Sequence, residues 1–397
     1  METFDCIVIG GGASGLVSAS RLARAGRRVL VLEASDRLGG CIHTWRPSPD
    51  FWLELGAHTA YNSYGPLLEA LADRGRLGEL LTREKLGYRF FEKDGSTASP
   101  MKRLSFLEAA FSLPLGIGKA KPGHSVAEWF GGLLGKGNYR RLLSPAFAAV
   151  LSQPADAFPA EWLFRRKPRM KAAPRKYTFP GGLQGLIEAL AENAPFAVRT
   201  GAPAGAVARD GAGFRVETRD GLLACRQLVL AVPVDTAASL LEEAYPDIAR
   251  PLSTFPMSSS EALAVALPAA KVNLPAVAGL IGADDDFFSV VTRDPVPHTK
   301  LRGFTFHFRP GRLDREQKLA RAAQVLGATP TDFPHVREYL NRLPSPGVEH
   351  PRRVADIDAR LAGEPLALVG NYLNGLSIGD CAERAVTETD RLLAQGA

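Results

Sequence analysis

Apolar residues along this chain fall into two rhythms, unbroken runs and three-to-four spacing. Residues 4–9 (Phe-Asp-Cys-Ile-Val-Ile) and 28–33 (Arg-Val-Leu-Val-Leu-Glu) hold short apolar runs of the kind buried on both faces of a parallel sheet. Between them Leu16, Ala19, Ser20, Leu22 and Ala23 recur at helical spacing, and Gly26 stands where such a helix would stop. The pattern predicts a βαβ unit. Further buried strands are predicted at 228–233 and 366–372, the second leading into a helix over 382–393. Residues 51–59 read as a strand running into a glycine, and 88–91, 265–267, 287–291 and 301–308 as strands. Helical spacing returns over 67–81, at Leu183, Leu186, Ile187 and Leu190, and over 315–326. Strands alternating with helices make this an α/β chain.

The loop inside the βαβ unit carries chemistry. In Gly10-Gly11-Gly12-Ala13-Ser14-Gly15, Gly10 permits a tight turn, Gly12 lets backbone approach a pyrophosphate, and Gly15 lets helix pack on strand. The helix start then offers unpaired N–H groups to the negative charge. Glu33 ends the second strand, about 20 residues beyond the glycines, where an acid binds a ribose hydroxyl and disfavours a 2′-phosphate. NADP is therefore disfavoured. Ala34, Arg37, Gly39 and Gly40 follow, a second glycine pair that a plain nicotinamide fold does not need. A longer cofactor lying across the crevice does need it.

These residues resemble the N-terminus of the flavin-dependent amine oxidase and protoporphyrinogen oxidase superfamily, GGGxSGL…VxVLEAxxRxGG. The resemblance implies a Rossmann-like FAD-binding domain with an inserted α+β substrate domain, and FAD held without a covalent bond. Residues 1–65, 179–240 and 350–397 would form the first domain; 66–178 and 241–349 would form the second. Gly56, Ala57 and His58 match the stretch that passes beside the flavin ring, and Ala204 the residue whose backbone meets adenine. Gly370, Asn371, Leu376, Ser377 and Ile378 match the superfamily's C-terminal flavin contacts, with a helix start aimed at the pyrimidine. Cys381 lies in a loop built differently from those that attach flavin covalently. Arg89, between aromatics and before the turn Lys93-Asp94-Gly95-Ser96, matches an arginine that pairs with a substrate propionate in protoporphyrinogen oxidases.

Composition narrows the partners. A chain of 397 residues with 46% hydrophobic and 23% charged residues is an ordinary two-domain globular protein. The four cysteines are far apart and form no metal-like pair, which suits reduced thiols in the cytoplasm. Residues 1–3 lead straight into the first strand, so no signal peptide is expected, and no apolar window approaches twenty residues. A net charge of +6 suits an anionic substrate or an anionic lipid surface, and no nucleic-acid motif accompanies it. Residues 104–117 are the most apolar stretch. They read first as a helix buried in the substrate domain, and second as a bilayer contact or channel wall. Residues 165–176, with seven basic side chains and no acid, read as a solvated connector.

The resemblance implies hydride transfer from a porphyrinogen, protoporphyrinogen IX or coproporphyrinogen III, to flavin N5, with oxygen as acceptor. No side chain is then needed as a catalytic acid or base, and no metal is expected. The alternatives are an amine oxidase, for which Tyr372 is the nearest candidate cage aromatic, a polyene desaturase, and a flavin-binding scaffold without turnover. Lys271 and Lys300 are expected to be exposed rather than flavin-side lysines.

Overall fold

The computed structural model describes residues 1–116, 118 and 120–395. Strand β1 (Glu2–Ile9), helix α1 (Ala13–Arg24) and strand β2 (Val29–Leu32) form the predicted βαβ unit, with the strands parallel and Ile9 opposite Leu32. They sit inside a seven-stranded sheet ordered Ala197–Arg199, β2, β1, Gly221–Leu230, Gly213–Thr218 and Ala204–Asp210. Leu366–Leu368 also pairs, in parallel, with the end of Gly221–Leu230, so the C-terminal part of the chain completes the sheet begun by the first strand. Cys6, Val8, Val29 and Val31 pack under α1 and the helices Leu183–Ala191 and Ile378–Gln395. Ile7, Ile9, Leu30 and Leu32 pack on the other face, under Val234–Leu241 and Pro246–Ser253. Both faces are covered, which is why these strands read as unbroken apolar runs.

The second sheet obeys the other rule. Its order is His335–Pro344, Met257–Pro268, Leu301–Phe308, Phe287–Thr292, Gly279–Gly282, Tyr88–Phe91 and Thr97–Ala98. Most neighbours are antiparallel, but Gly279–Gly282 and Tyr88–Phe91 run parallel. One face (Leu263, Val265, Leu280, Val290, Phe304, Phe306) packs on the predicted helix Arg315–Leu326. The opposite face turns toward the first unit. There Ala262, Ala264, Ala266 and Gly303 are small enough for strand Phe51–Glu54 to lie directly on the sheet, and a Cβ at Gly303 would press into Phe51 and Leu53.

Three expectations change. Helix Gly65–Ala72 buries Leu67, Leu68 and Leu71 in the same core as α1, Ala173 and Tyr177 also join that core, and helix Pro246–Ser253 closes the far side. The cofactor-side unit therefore extends past residues 65 and 240, and takes residues from before 179. The strand expected over 366–372 ends at Leu368, because Gly370 at φ +146° turns the chain away. Helix Phe106–Gly116 is not buried: Phe106 is 66% exposed, Leu107 75%, Phe111 80% and Leu113 42%. Residue 117, the last of that apolar stretch, lies outside the described residues. Among the described residues no helix is long and apolar enough to cross a membrane.

Candidate functional site

The glycine loop has little sequence freedom. Gly10 sits at φ +108° with its N–H donated to the Leu32 carbonyl (2.7 Å), and a Cβ there would strike the Ala231 carbonyl. A Cβ on Gly15 would strike Gly10's carbonyl oxygen, so this glycine alone lets α1 reach the strand end. Gly12 caps α1 with no side chain, and the first turn carries no acid, which leaves the helix start open to an anion. The second glycine pair lies alongside: Gly39 donates to the Gly11 carbonyl (3.0 Å), and Gly12 and Gly39 form a parallel bridge. Arg37 shapes this second loop, its guanidinium donating to the carbonyls of Leu38 (3.3 Å), Gly40 (2.9 Å) and Ile42 (3.3 Å). Its hydrogen bonds go to backbone and hold this loop in shape.

Glu33 ends β2 half-buried, accepting from the Gly11 N–H (2.7 Å) and from the Ser35 N–H and hydroxyl (2.9 and 2.7 Å). Exposed Ala34 follows it, and Ala202 donates to the Glu33 carbonyl (2.9 Å), two residues before Ala204 at the start of its strand. From the other end of the chain, helix Ile378–Gln395 packs along α1, and the Cys381 thiol is hydrogen-bonded to Ser14. Ser377 caps this helix: its hydroxyl accepts from the Asp380 N–H (3.0 Å) and donates to the Asp380 carboxylate (2.6 Å). Gly370, Asn371, Leu376 and Ser377 lie in the segment that leads from strand Leu366–Leu368 into this helix, whose first residue is Ile378. The donors, open helix start and paired glycine loops fit a dinucleotide flavin. Arg165 and Lys167 reach over to Asp380, Lys167 at 2.7 Å, so the basic connector is pinned here rather than solvated throughout. Burial alone would raise the Asp380 carboxyl, but those two cations and Ser377 hold it below the ordinary carboxylate range.

Gly56 brings in the third wall. A Cβ there would strike the Cys41 carbonyl, so residues 56–58 run against the segment that follows Gly40. Ala57 lies half-buried beside this contact. His58 then faces the second sheet, its Nε2 2.6 Å from Nε2 of His307 with the rings edge to face. Next to this pair is a cavity of about 20 Å³ lined by Trp52, Glu54, His58, Arg83, Arg293 and Thr305 among others. That is room for roughly a water or one carboxylate end. Glu54 accepts from Thr44 Oγ1 (2.6 Å) and the Leu183 N–H (2.7 Å), and burial pushes its carboxyl up to about 7. Arg293 stacks its guanidinium over Trp52 (4.0 Å) and Phe51 (4.7 Å) and leaves Nε without a partner; burial lowers it to about 10. The Arg83 guanidinium makes no hydrogen bond or ion pair among the described residues, and burial lowers its pKa too.

Arg89 is not in this cavity. It pairs in register with Leu280, which pairs with Val290 and through it with Phe306, so it lies on the face that packs on helix Arg315–Leu326. There it donates to Thr97 Oγ1 (2.9 Å) and the Thr97 carbonyl (3.0 Å). Alternation along a strand decides this: one residue either way would have reversed the face. Tyr372, the candidate cage aromatic, is fully buried against Phe255. Lys271 pairs with Asp332 at the surface and Lys300 is exposed. Arg83, Arg293 and His307 went unnoticed in the sequence because each stands alone in its own segment.

The fold and crevice define a Rossmann-like flavoprotein oxidoreductase. Residues 13–274 match the model of the flavin containing amine oxidoreductases, and the chain belongs to that family. It resembles an all-trans-retinol 13,14-reductase of Danio rerio, 46% identical over 57 residues, which is 14% of this chain and 9% of that protein. The matched stretch is thus under a tenth of that relative. Solved structures align over nearly the whole chain. One is the "Putative protoporphyrinogen oxidase" of Exiguobacterium sp. 255-15 (TM-score 0.76, 18% identity, 98% of both chains). Another is putrescine oxidase bound to putrescine (TM-score 0.75, 17% identity, 99% of both chains). At such identities the shared property is the fold.

Proposed function

We propose that this oxidoreductase holds FAD non-covalently and oxidises a porphyrinogen, protoporphyrinogen IX or coproporphyrinogen III, with oxygen as the final acceptor. The supporting observation is the pair Arg83 and Arg293 in the cleft between strands Phe51–Glu54 and Phe287–Thr292. A guanidinium drawn out of water costs several kcal/mol unless an anion answers it. Of the carboxylates around the pair, Glu54 is bound to Thr44 and Leu183 with its carboxyl pushed up to about 7 by burial, and Asp50 is exposed and bonded to His298. A cationic amine would meet repulsion here, and a polyene has no use for two arginines. A carboxylate arm of an anionic tetrapyrrole fits the charge, and the narrow cavity takes such an arm rather than a ring.

FAD supplies hydride acceptance at its N5. The chain supplies orientation through the arginines, a dry wall in Trp52 and the small-residue sheet face, and shaped backbone for the cofactor. Cys381, turned toward Ser14 with its thiol pushed up by burial, is not prepared to attach a flavin. The test is anaerobic bleaching of the purified yellow protein by a panel of porphyrinogens, amines and polyenes. Bleaching by an amine or polyene alone would remove this reading. Acid precipitation should release the yellow colour.

A second proposal concerns location: peripheral contact with an anionic bilayer through helix Phe106–Gly116. Its outward arc of Phe106, Leu107, Ala110, Phe111, Leu113 and Pro114 carries no polar side chain. Residues 99–141 contain seven Lys and Arg against two Glu, five of the chain's six net positive charges. Co-sedimentation with phosphatidylglycerol vesicles, lost with pure phosphatidylcholine and in Phe111→Ser, is the expected result.

A further inference from the structure

We propose that His58 and His307 together are the proton acceptor of the reaction: the N–H proton that the substrate sheds as its hydride departs passes to His58 and is shared with His307 across their Nε2–Nε2 contact. The proposal rests on the reading of Proposed function for its substrate, though not for its geometry. In the step, the substrate C–H pair leaves as hydride to the flavin, the oxidant. The substrate N–H bond breaks, an N–H bond forms on His58, and the proton later leaves to water.

Geometry carries the argument. At 2.6 Å the two Nε2 atoms are hydrogen-bonded, so one imidazole donates and the other accepts, leaving Nδ1 of each ring as the two ends of a relay. His58 is half-buried and lines the cavity, and His307 lies inside the second sheet. His307 is 3% exposed, and its Nδ1 has no partner. Ser289, its cross-strand neighbour on the same face, is 1% exposed, and its hydroxyl is also without a partner. An unsatisfied polar atom in a core costs about 1–3 kcal/mol. The two lie on neighbouring strands, on a face that also carries Ala262, Ile281, Val291, Thr305 and a further unpartnered hydroxyl at Ser260, so apolar packing does not account for them.

Electrostatics set the resting state. Burial first, then His307 and the Arg83 guanidinium, hold His58 well below the ordinary imidazole range, and burial holds His307 at about 4. The pair rests neutral, able to take a proton. Around it stand Arg83 and Glu54 on the cofactor side, Arg293 from the second sheet, and Tyr61 and Tyr88 near Arg83. A substrate carboxylate docked on Arg83 offsets that guanidinium's share of what opposes protonation. The base is thereby strengthened only when substrate is present.

The test uses holoenzyme with normal flavin content: wild type, His58→Gln and His307→Gln, the amides keeping a polar contact at the buried site. Anaerobic flavin reduction is followed against pH. His58→Gln should slow reduction at saturating substrate by about a hundred-fold, with KM nearly unchanged and partial rescue by added imidazole. His307→Gln should displace the acid limb of the profile. Wild-type rates and an unshifted profile in both variants would overturn the proposal. Nitrogen-15 NMR of histidine-labelled, substrate-free enzyme gives a separate reading. Two rings that stay neutral together between about pH 5 and 8 support the pair. Two rings that titrate independently near 6.5 overturn it. Should porphyrinogen fail to bleach the wild-type flavin, the substrate reading falls. The NMR result, and the same variants on whichever panel compound does bleach it, then judge the histidines.

Discussion

The two seven-stranded sheets present opposite surfaces to the crevice between them. The first is mostly parallel, covered on both faces, and meets the site only through loops at its strand ends: Gly10 to Gly15, Glu33, and Gly370 to Ile378. The second is mostly antiparallel, apolar on the face under helix Arg315–Leu326, and meets the site with side chains of its other face, Thr305, His307 and Ser289. Backbone does the work on one side and side chains on the other. A cofactor with fixed phosphates suits rigid amides, whereas a variable substrate suits side chains that change without disturbing the strands carrying them.

The sharpest break in that contrast is Gly15→Val. A side chain there meets Gly10's carbonyl, so helix and strand must separate. The expected outcome is colourless or insoluble protein, a loss of several kcal/mol; yellow, folded protein would show that the loop tolerates a side chain. Next come the arginines. Arg83→Ala and Arg293→Ala should each raise KM for an anionic substrate about ten-fold or more, on the order of one charge-assisted bond. Arg89→Ala, on the other face, should leave KM within about two-fold, as for a residue making no contact with substrate. Equal effects at 83 and 89 would undo the two-faced description of the sheet.

Glu54 sits where the halves join, and its effect is on pH. Its folded carboxyl titrates at about 7 against an ordinary 4.5, so the folded state holds the proton more tightly. Stability from this group is therefore full below about 4.5 and is lost as pH rises through 7, by about 3 kcal/mol. Urea unfolding of Glu54→Gln should show that decline flattened relative to wild type. The smallest effect is Ser377→Ala, which removes a helix cap and should cost about 1 kcal/mol in the same assay, with flavin still bound.

Legibility followed the same division. Gly10 to Gly15, Glu33 and Gly39 to Gly40 were readable because their geometry is local: the residues that touch are neighbours in the chain or end consecutive elements. Strands Tyr88–Phe91 and Leu301–Phe308 and helix Arg315–Leu326 were equally plain from spacing. Arg89 shows the limit. Its strand was foreseen, but which face it occupies depends on pairing with Leu280, nearly two hundred positions later. The exposed helix at 106–116 fails for a related reason: an apolar run reports what it avoids, not whether anything covers it.

By itself, then, the amino-acid order determined a βαβ dinucleotide grip, the family, and those strands and helices whose spacing is plain, though not strands Gly279–Gly282 and His335–Pro344, since each of the readable ones depends on propensities and spacings within some forty residues. Tertiary structure alone decided that Arg83 and Arg293 share a cleft, that His58 meets His307, and that Arg89 looks the other way. Those facts depend on register between distant strands, where a shift of one residue exchanges the faces and no local pattern records the choice.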